Sequence, residues 1–88
     1  MKYRVANPAR ARKVGDEIFS LTDNGDLLSL GNESAVLLWE RLCREDADVG
    51  DLTATLLQVY NVDDATARRD AQLFLDKLAK AGVLKTAP

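Results

Sequence analysis

The sequence contains no histidine and a single cysteine, Cys43. Without histidine the chain has no general base poised near neutral pH, no imidazole ligand for zinc and no Ser-His or Cys-His nucleophile pair. One thiol can neither close an internal disulfide nor build a cysteine-based metal site, which fits a reducing compartment. No apolar run approaches the roughly 18 residues that a membrane span needs. Residues 1–13 lack the apolar centre of a secretory signal, so a cytoplasmic protein is expected. The remaining polar candidates are scattered carboxylates with Ser20, Ser29 and Ser34, none beside an activating base. The expectation is a protein without catalysis, metal or cofactor.

What is present suits one small domain spanning residues 1–88. With 47% hydrophobic and 30% charged residues the chain can fill a core and remain soluble. Charge is segregated along it. Residues 1–13 carry Lys2, Arg4, Arg10, Arg12 and Lys13 and no acid, residues 14–64 are strongly acidic, and residues 65–88 are basic again, for a net charge of -2. This pattern reads mainly as solvated surface, with residues 1–9 expected as a flexible basic arm that could also attract an acidic partner.

The first third has strand character and the rest helical periodicity, the order of an α+β domain. Residues 10–14 form a weak first strand and residues 17–22 a better one. Asn24-Gly25 then predicts a two-residue type I′ hairpin into a third strand over residues 26–30. That loop would pair Leu21 with Leu28 and Phe19 with Leu30, placing these four side chains on the core face and Leu27 on the other.

Three helices are predicted next. Asn32 caps residues 33–44, whose inward stripe is Ala35, Leu38, Trp39, Leu42 and Cys43, with Cys43 packed and inert. Asp48 and Asp51 form a capping box for residues 49–60, with Leu52, Leu56, Val59 and Tyr60 inward. Asp63 or Asp64 caps residues 65–81, which turn Ala67, Ala71, Phe74, Leu75 and Leu78 inward. Gly82 then stops that helix, and Val83-Leu84 fold back onto its last turn. Three short antiparallel strands followed by three helices make a winged-helix-like layout.

The segment Gly31-Asn32-Glu33-Ser34-Ala35-Val36-Leu37-Leu38-Trp39 resembles the Leu-Asn-x-Thr-Gly-x-x-Ile-Trp segment of PqqD-like proteins. So do Leu52, Leu56 and Tyr60-Asn61-Val62. Ala67-Arg68-Arg69-Asp70-Ala71, Phe74-Leu75-Asp76-Lys77-Leu78 and Gly82-Val83-Leu84 are similar to that family's C-terminal pattern. The Pro-Glu-Gly segment typical of PqqD proper is not in the sequence, and pyrroloquinoline quinone synthesis is not implied.

The resemblance implies a recognition element that holds the leader of a ribosomally made precursor peptide for a separate modifying enzyme, a radical SAM protein being one candidate. In a three-strand meander the outer edge of Asp26, Leu27, Leu28, Ser29 and Leu30 is open to an added peptide strand. About four new hydrogen bonds at roughly 0.5–1.5 kcal/mol each give about 2–6 kcal/mol, short of the roughly 8 kcal/mol of micromolar binding. Side-chain pockets must therefore add to the edge, and the resemblance puts them between the third strand and the third helix. There Leu73 lies off the core stripe, flanked by Asp70 and Lys77 and next to Phe74. The opposite flank, with Arg68, Gln72 and Ala79, is the second choice.

Two other classes share the layout. A winged-helix DNA binder would use Arg68, Arg69, Lys77 and Lys80 on one recognition helix, but the net acidity and the lack of a continuous basic face disfavour nucleic acid. A small assembly subunit would pair two copies through the same open edge, which allows a monomer or a weak dimer.

Overall fold

The computed structural model describes residues 1–87. Its elements are β1 (Lys2–Val5), a 3-10 turn (Pro8–Arg10), β2 (Ala11–Val14), β3 (Glu17–Leu21), β4 (Leu27–Leu30), α1 (Glu33–Arg44), α2 (Val49–Val59), α3 (Asp64–Ala81) and β5 (Leu84–Ala87). β2-β3-β4 form an antiparallel meander, and β1 pairs with β5 in a second sheet. The α+β, winged-helix-like layout expected from the sequence is the one observed. Among the described residues no helix is long and apolar enough to cross a membrane.

The hairpin differs from the expected one by a single residue. Gly25 N–H donates to Thr22 O, Thr22 N–H donates to Asp26 O, and the Asp26 N–H donates to Thr22 Oγ1. Gly25 has φ +84°, whereas Asn24 is not among the positive-φ residues. A type I′ turn needs positive φ at both central residues. Here a turn over Thr22–Gly25 ends on the left-handed Gly25, the three-residue loop with a bulge.

Leu21 therefore faces Leu27, Ser20 faces Leu28 and Ile18 faces Leu30. One step of register reverses a strand's faces. Ile18, Ser20 and Thr22 point into the core with Leu28 and Leu30, while Leu21 is 51% exposed and Phe19 is only half-buried. The two registers predict opposite mutational costs. Ile18→Ala is expected to destabilise by about 2–4 kcal/mol and Leu21→Ala by less than about 1 kcal/mol, measured by urea unfolding; the expected two-residue loop would reverse that order.

The helix caps form as the sequence predicts. Asn32 Oδ1 accepts from Ala35 N–H at 2.7 Å, and Asp63 Oδ1 accepts from Thr66 N–H at 3.2 Å. Asp48 Oδ1 accepts from Asp51 N–H at 2.8 Å while Asp51 Oδ2 accepts from Asp48 N–H at 3.0 Å, closing a reciprocal box. Gly82, at φ +72°, takes the left-handed position that ends α3.

The Asp48 amide, and then the Lys2 ammonium, hold the Asp51 carboxyl below the usual carboxylate range. Thr66, through its hydroxyl and then its amide, does the same for Asp63. Both groups have folded pKa values below their unfolded ones, so their contribution is present above about pH 4 and is lost as pH falls through the folded values. Thermal melts from pH 7 downward should show a falling midpoint in acid, with a shallower fall in Asp51→Asn. At pH 7, Asp48→Ala should cost about 1 kcal/mol through the lost cap.

Sheet and helices close over one core that includes Ile18, Leu30, Leu38, Trp39, Leu42, Leu52, Leu75 and Leu78. Two residues of the expected stripes lie outside it. Val59, the last residue of α2, is exposed. Cys43 is also exposed, beside Trp39 in a cavity of about 440 Å³ bounded by Ala11, Lys13 and Ile18. Periodicity gives an angular direction, not how far the opposing element reaches. Partial desolvation against the walls of that cavity, and then the neighbouring Glu40 carboxylate, push the Cys43 thiol up, which keeps its nucleophilic thiolate scarce.

Residues 1–9, expected as a basic arm, hold β1, which pairs with the C-terminal strand rather than leaving Val83-Leu84 simply folded on α3. Tyr3 also exchanges hydrogen bonds of 2.8 and 2.9 Å with Ala47 in the α1–α2 connection. The early basic residues meet the chain's own acids: Lys2–Asp51 at 3.1 Å, Arg4–Asp46 at 2.7 Å, Arg10–Asp23 at 3.2 Å and Lys13–Glu40 at 3.3 Å. Such exposed pairs stabilise little individually. Four of the five basic residues among residues 1–13 are thus paired with acids of the chain itself.

Candidate functional site

In the three-stranded sheet β4 neighbours only β3. Antiparallel ladders alternate between pairs that exchange hydrogen bonds and pairs whose main-chain groups point away. The Thr22 N–H to Asp26 O bond sets the phase. Ser20–Leu28 and Ile18–Leu30 are then the bonded pairs, while Leu21–Leu27 and Phe19–Ser29 are not. The N–H and C=O of Leu27 and of Ser29 therefore face the open edge, two donors and two acceptors in all.

The remaining predicted edge residues play different parts. Asp26 directs its main chain at Thr22. Leu28 and Leu30 bond back to β3 and send their side chains into the core. Leu27 is 62% exposed on the outer face and the N-terminal segment does not cover it.

Leu30 is where the edge meets the helices. It lines a cavity of about 320 Å³ with Asp70, Leu73, Phe74 and Lys77, so four predicted α3 residues and one β4 residue come together. Leu73, 58% exposed, supplies an apolar wall, and Phe74 joins that wall to the core. Asp70 and Lys77 lie about two helical turns apart on the same side of α3, roughly 10 Å along its axis. Neither is ion-paired among the described residues. The cleft thus offers an apolar floor with one carboxylate and one ammonium free to bind.

The cavity also includes residues that sequence reasoning missed: Asn32, Ser34, Ala35, Leu38 and Leu56. The sequence signal for Asn32 and Ser34 was the α1 cap itself, because a cap directly after β4 must sit at the strand's end. Arg68 and Gln72, from the alternative flank, do not line this cavity, and Gln72 Nε2 donates to Asp76 Oδ1 at 2.9 Å.

The opposite edge, β2, is more encumbered. The 3-10 turn leads directly into it, and Lys13 reaches over to Glu40. Among the described residues no group of His, Cys, Asp and Glu side chains is placed to hold a metal ion.

Comparison with solved structures gives "TbiB1 in Complex with the TbiA(beta) Leader Peptide", with a TM-score of 0.80 and 20% sequence identity over 97% of this chain and 98% of that one. At that identity the likeness is one of fold. No curated protein matches the sequence. Residues 22–84 match the family described as "Coenzyme PQQ synthesis protein D (PqqD)", a span running from the β3–β4 turn through all three helices into β5. That span contains both the open strand and the cleft beside it, and it covers well over half of the sequence: the chain belongs to the PqqD family.

Proposed function

We propose that this protein is a non-catalytic peptide-binding module. It captures the leader of a ribosomally synthesised precursor by strand addition to β4 and presents the rest of that peptide to a separate modifying enzyme. The observation that carries this reading is the juxtaposition of an edge with four outward main-chain groups and a cleft lined by Leu30, Asp70, Leu73, Phe74 and Lys77. Membership of the PqqD family supports it, as does the shared fold with a protein solved together with a leader peptide.

The mechanism follows from the two surfaces. Main-chain pairing fixes an extended peptide without regard to its sequence, while alternate side chains entering the cleft select which peptide is retained. Burying two or three apolar leader side chains against Leu30, Leu73 and Phe74 supplies the several kcal/mol that the edge alone does not provide. Holding the leader at an edge leaves the downstream peptide free for another enzyme.

Leaders encoded by short reading frames beside the gene are the ligands to test. Titration should shift the amides of β4 and of Asp70–Lys77, with weak dependence on salt. Shifts confined to other surfaces would contradict the site. Retention on duplex DNA that falls steeply with salt would instead indicate the winged-helix alternative, because phosphate binding releases counterions. Asp70 and Asp76, set between Arg68 and Arg69 on one side and Lys77 and Lys80 on the other, interrupt the basic residues of α3 and disfavour that outcome.

A further inference from the structure

The cleft does not end at the α1 cap. Asn32, Ser34, Leu56 and Asp70 also bound an adjoining cavity of about 290 Å³, which adds Glu33, Tyr60 and Val62. The two hollows share these four lining residues and adjoin, with Lys77 in the first and Tyr60 in the second. The adjoining part has apolar sides from Leu56, Val62 and the Tyr60 ring, and carboxylates from Glu33 and Asp70. No lysine or arginine lines it, and neither carboxylate is ion-paired among the described residues.

The Tyr60 side chain closes one end of this hollow. The Tyr60 hydroxyl oxygen is buried and has no hydrogen-bond partner among the described residues. A buried hydroxyl left unpaired costs stability, so such groups normally have a partner. Burial, and then the Glu33 carboxylate, raise the Tyr60 pKa, so the phenol stays neutral near pH 7. Its ring, which lines the cavity, can pack against an aliphatic stem, while the enclosed oxygen makes no contact with the open space.

One opposing charge has to be weighed. The N-terminus of α1, at Asn32–Ser34, carries a partial positive charge equivalent to roughly half an elementary charge. Asn32 Oδ1 already accepts from Ala35 N–H, and Glu33 stands in that first turn. Two carboxylates outweigh the remainder.

We propose that this cavity is a subsite for an arginine or lysine side chain of the bound peptide, just outside the segment that pairs with β4. The stem would lie on Leu56, Val62 and the Tyr60 ring, with the cation between Asp70 and Glu33. Lys77, in the first hollow, repels a cation, so the two hollows distinguish the direction in which a charged peptide lies. This inference rests on the peptide-binding reading, and it extends that reading to the charge of one ligand residue.

The test uses Nα-acetyl-arginine amide and Nα-acetyl-citrulline amide, which have nearly the same shape and differ by one charge. Each is titrated in the millimolar range and followed by amide shifts. The arginine probe should saturably shift Glu33, Tyr60, Val62 and Asp70 and bind at least about threefold tighter than citrulline, the scale of one exposed charge pair. Asp70→Asn, which changes an exposed side chain and should leave the fold unchanged, should erase that difference, and Glu33→Gln should reduce it. Equal affinity for both probes, shifts outside these residues, or no saturable shift would each overturn the subsite. Neither probe contains an extended strand. Failure here with β4 still protected by a leader rejects only the cationic subsite, and a saturable arginine response without leader protection rejects only strand addition.

Discussion

Ser29→Pro is expected to weaken leader binding by roughly 30- to 150-fold while leaving the fold intact. The Ser29 N–H belongs to a pair that does not exchange hydrogen bonds with β3, so proline removes a donor aimed at the open edge and none from the ladder. The lost bond and the ring projecting into the position of an added strand together cost about 2–3 kcal/mol of binding. Leu28→Pro, one residue earlier, is the control. It removes an amide directed at Ser20 and buries a pyrrolidine in the core, so it should destabilise the protein itself. Circular dichroism and calorimetric titration separate the two effects. Undiminished binding by a folded Ser29→Pro variant would show that the peptide does not pair there.

The largest loss of stability is expected from Trp39→Ala, about 3–5 kcal/mol by urea unfolding followed by far-ultraviolet circular dichroism. Trp39 is 3% exposed and belongs to the cluster that joins α1 to Ile18 and Leu30 of the sheet. A domain of this size has only about 5–10 kcal/mol in total, so half of its stability would go with one side chain. The site should suffer too, because Leu30 is both core and cleft floor. A cost below about 1 kcal/mol would mean that Trp39 is not the packing centre between helix and sheet.

The helices were legible because their information is local. Asn32, Asp48 and Asp63 cap where their spacing predicts, and Gly82 ends α3. Local periodicity also set Leu73 off the stripe that Ala67, Ala71, Phe74 and Leu78 define, whereas the place of a cleft beside it came from the family resemblance. The hairpin was not, because Asn-Gly fits a two-residue turn and a bulged three-residue loop equally well. The choice between them depends on the Thr22 hydroxyl taking the Asp26 amide, and on which face of β3 meets the helices. Cys43 and Val59 fall on the predicted stripes, yet both remain exposed because the opposing elements do not close over them. The β1–β5 pairing joins the two ends of the chain, a contact no local pattern in the sequence announces.

Amide hydrogen exchange with a cognate leader at saturation tests the central claim most directly. Leu27 and Ser29 should slow markedly on binding. Leu28 and Leu30, already bonded to β3, should change little, giving an alternating pattern along β4. Uniform exchange at Leu27 and Ser29 with and without leader, or new protection along β2 instead, would contradict strand addition at this edge.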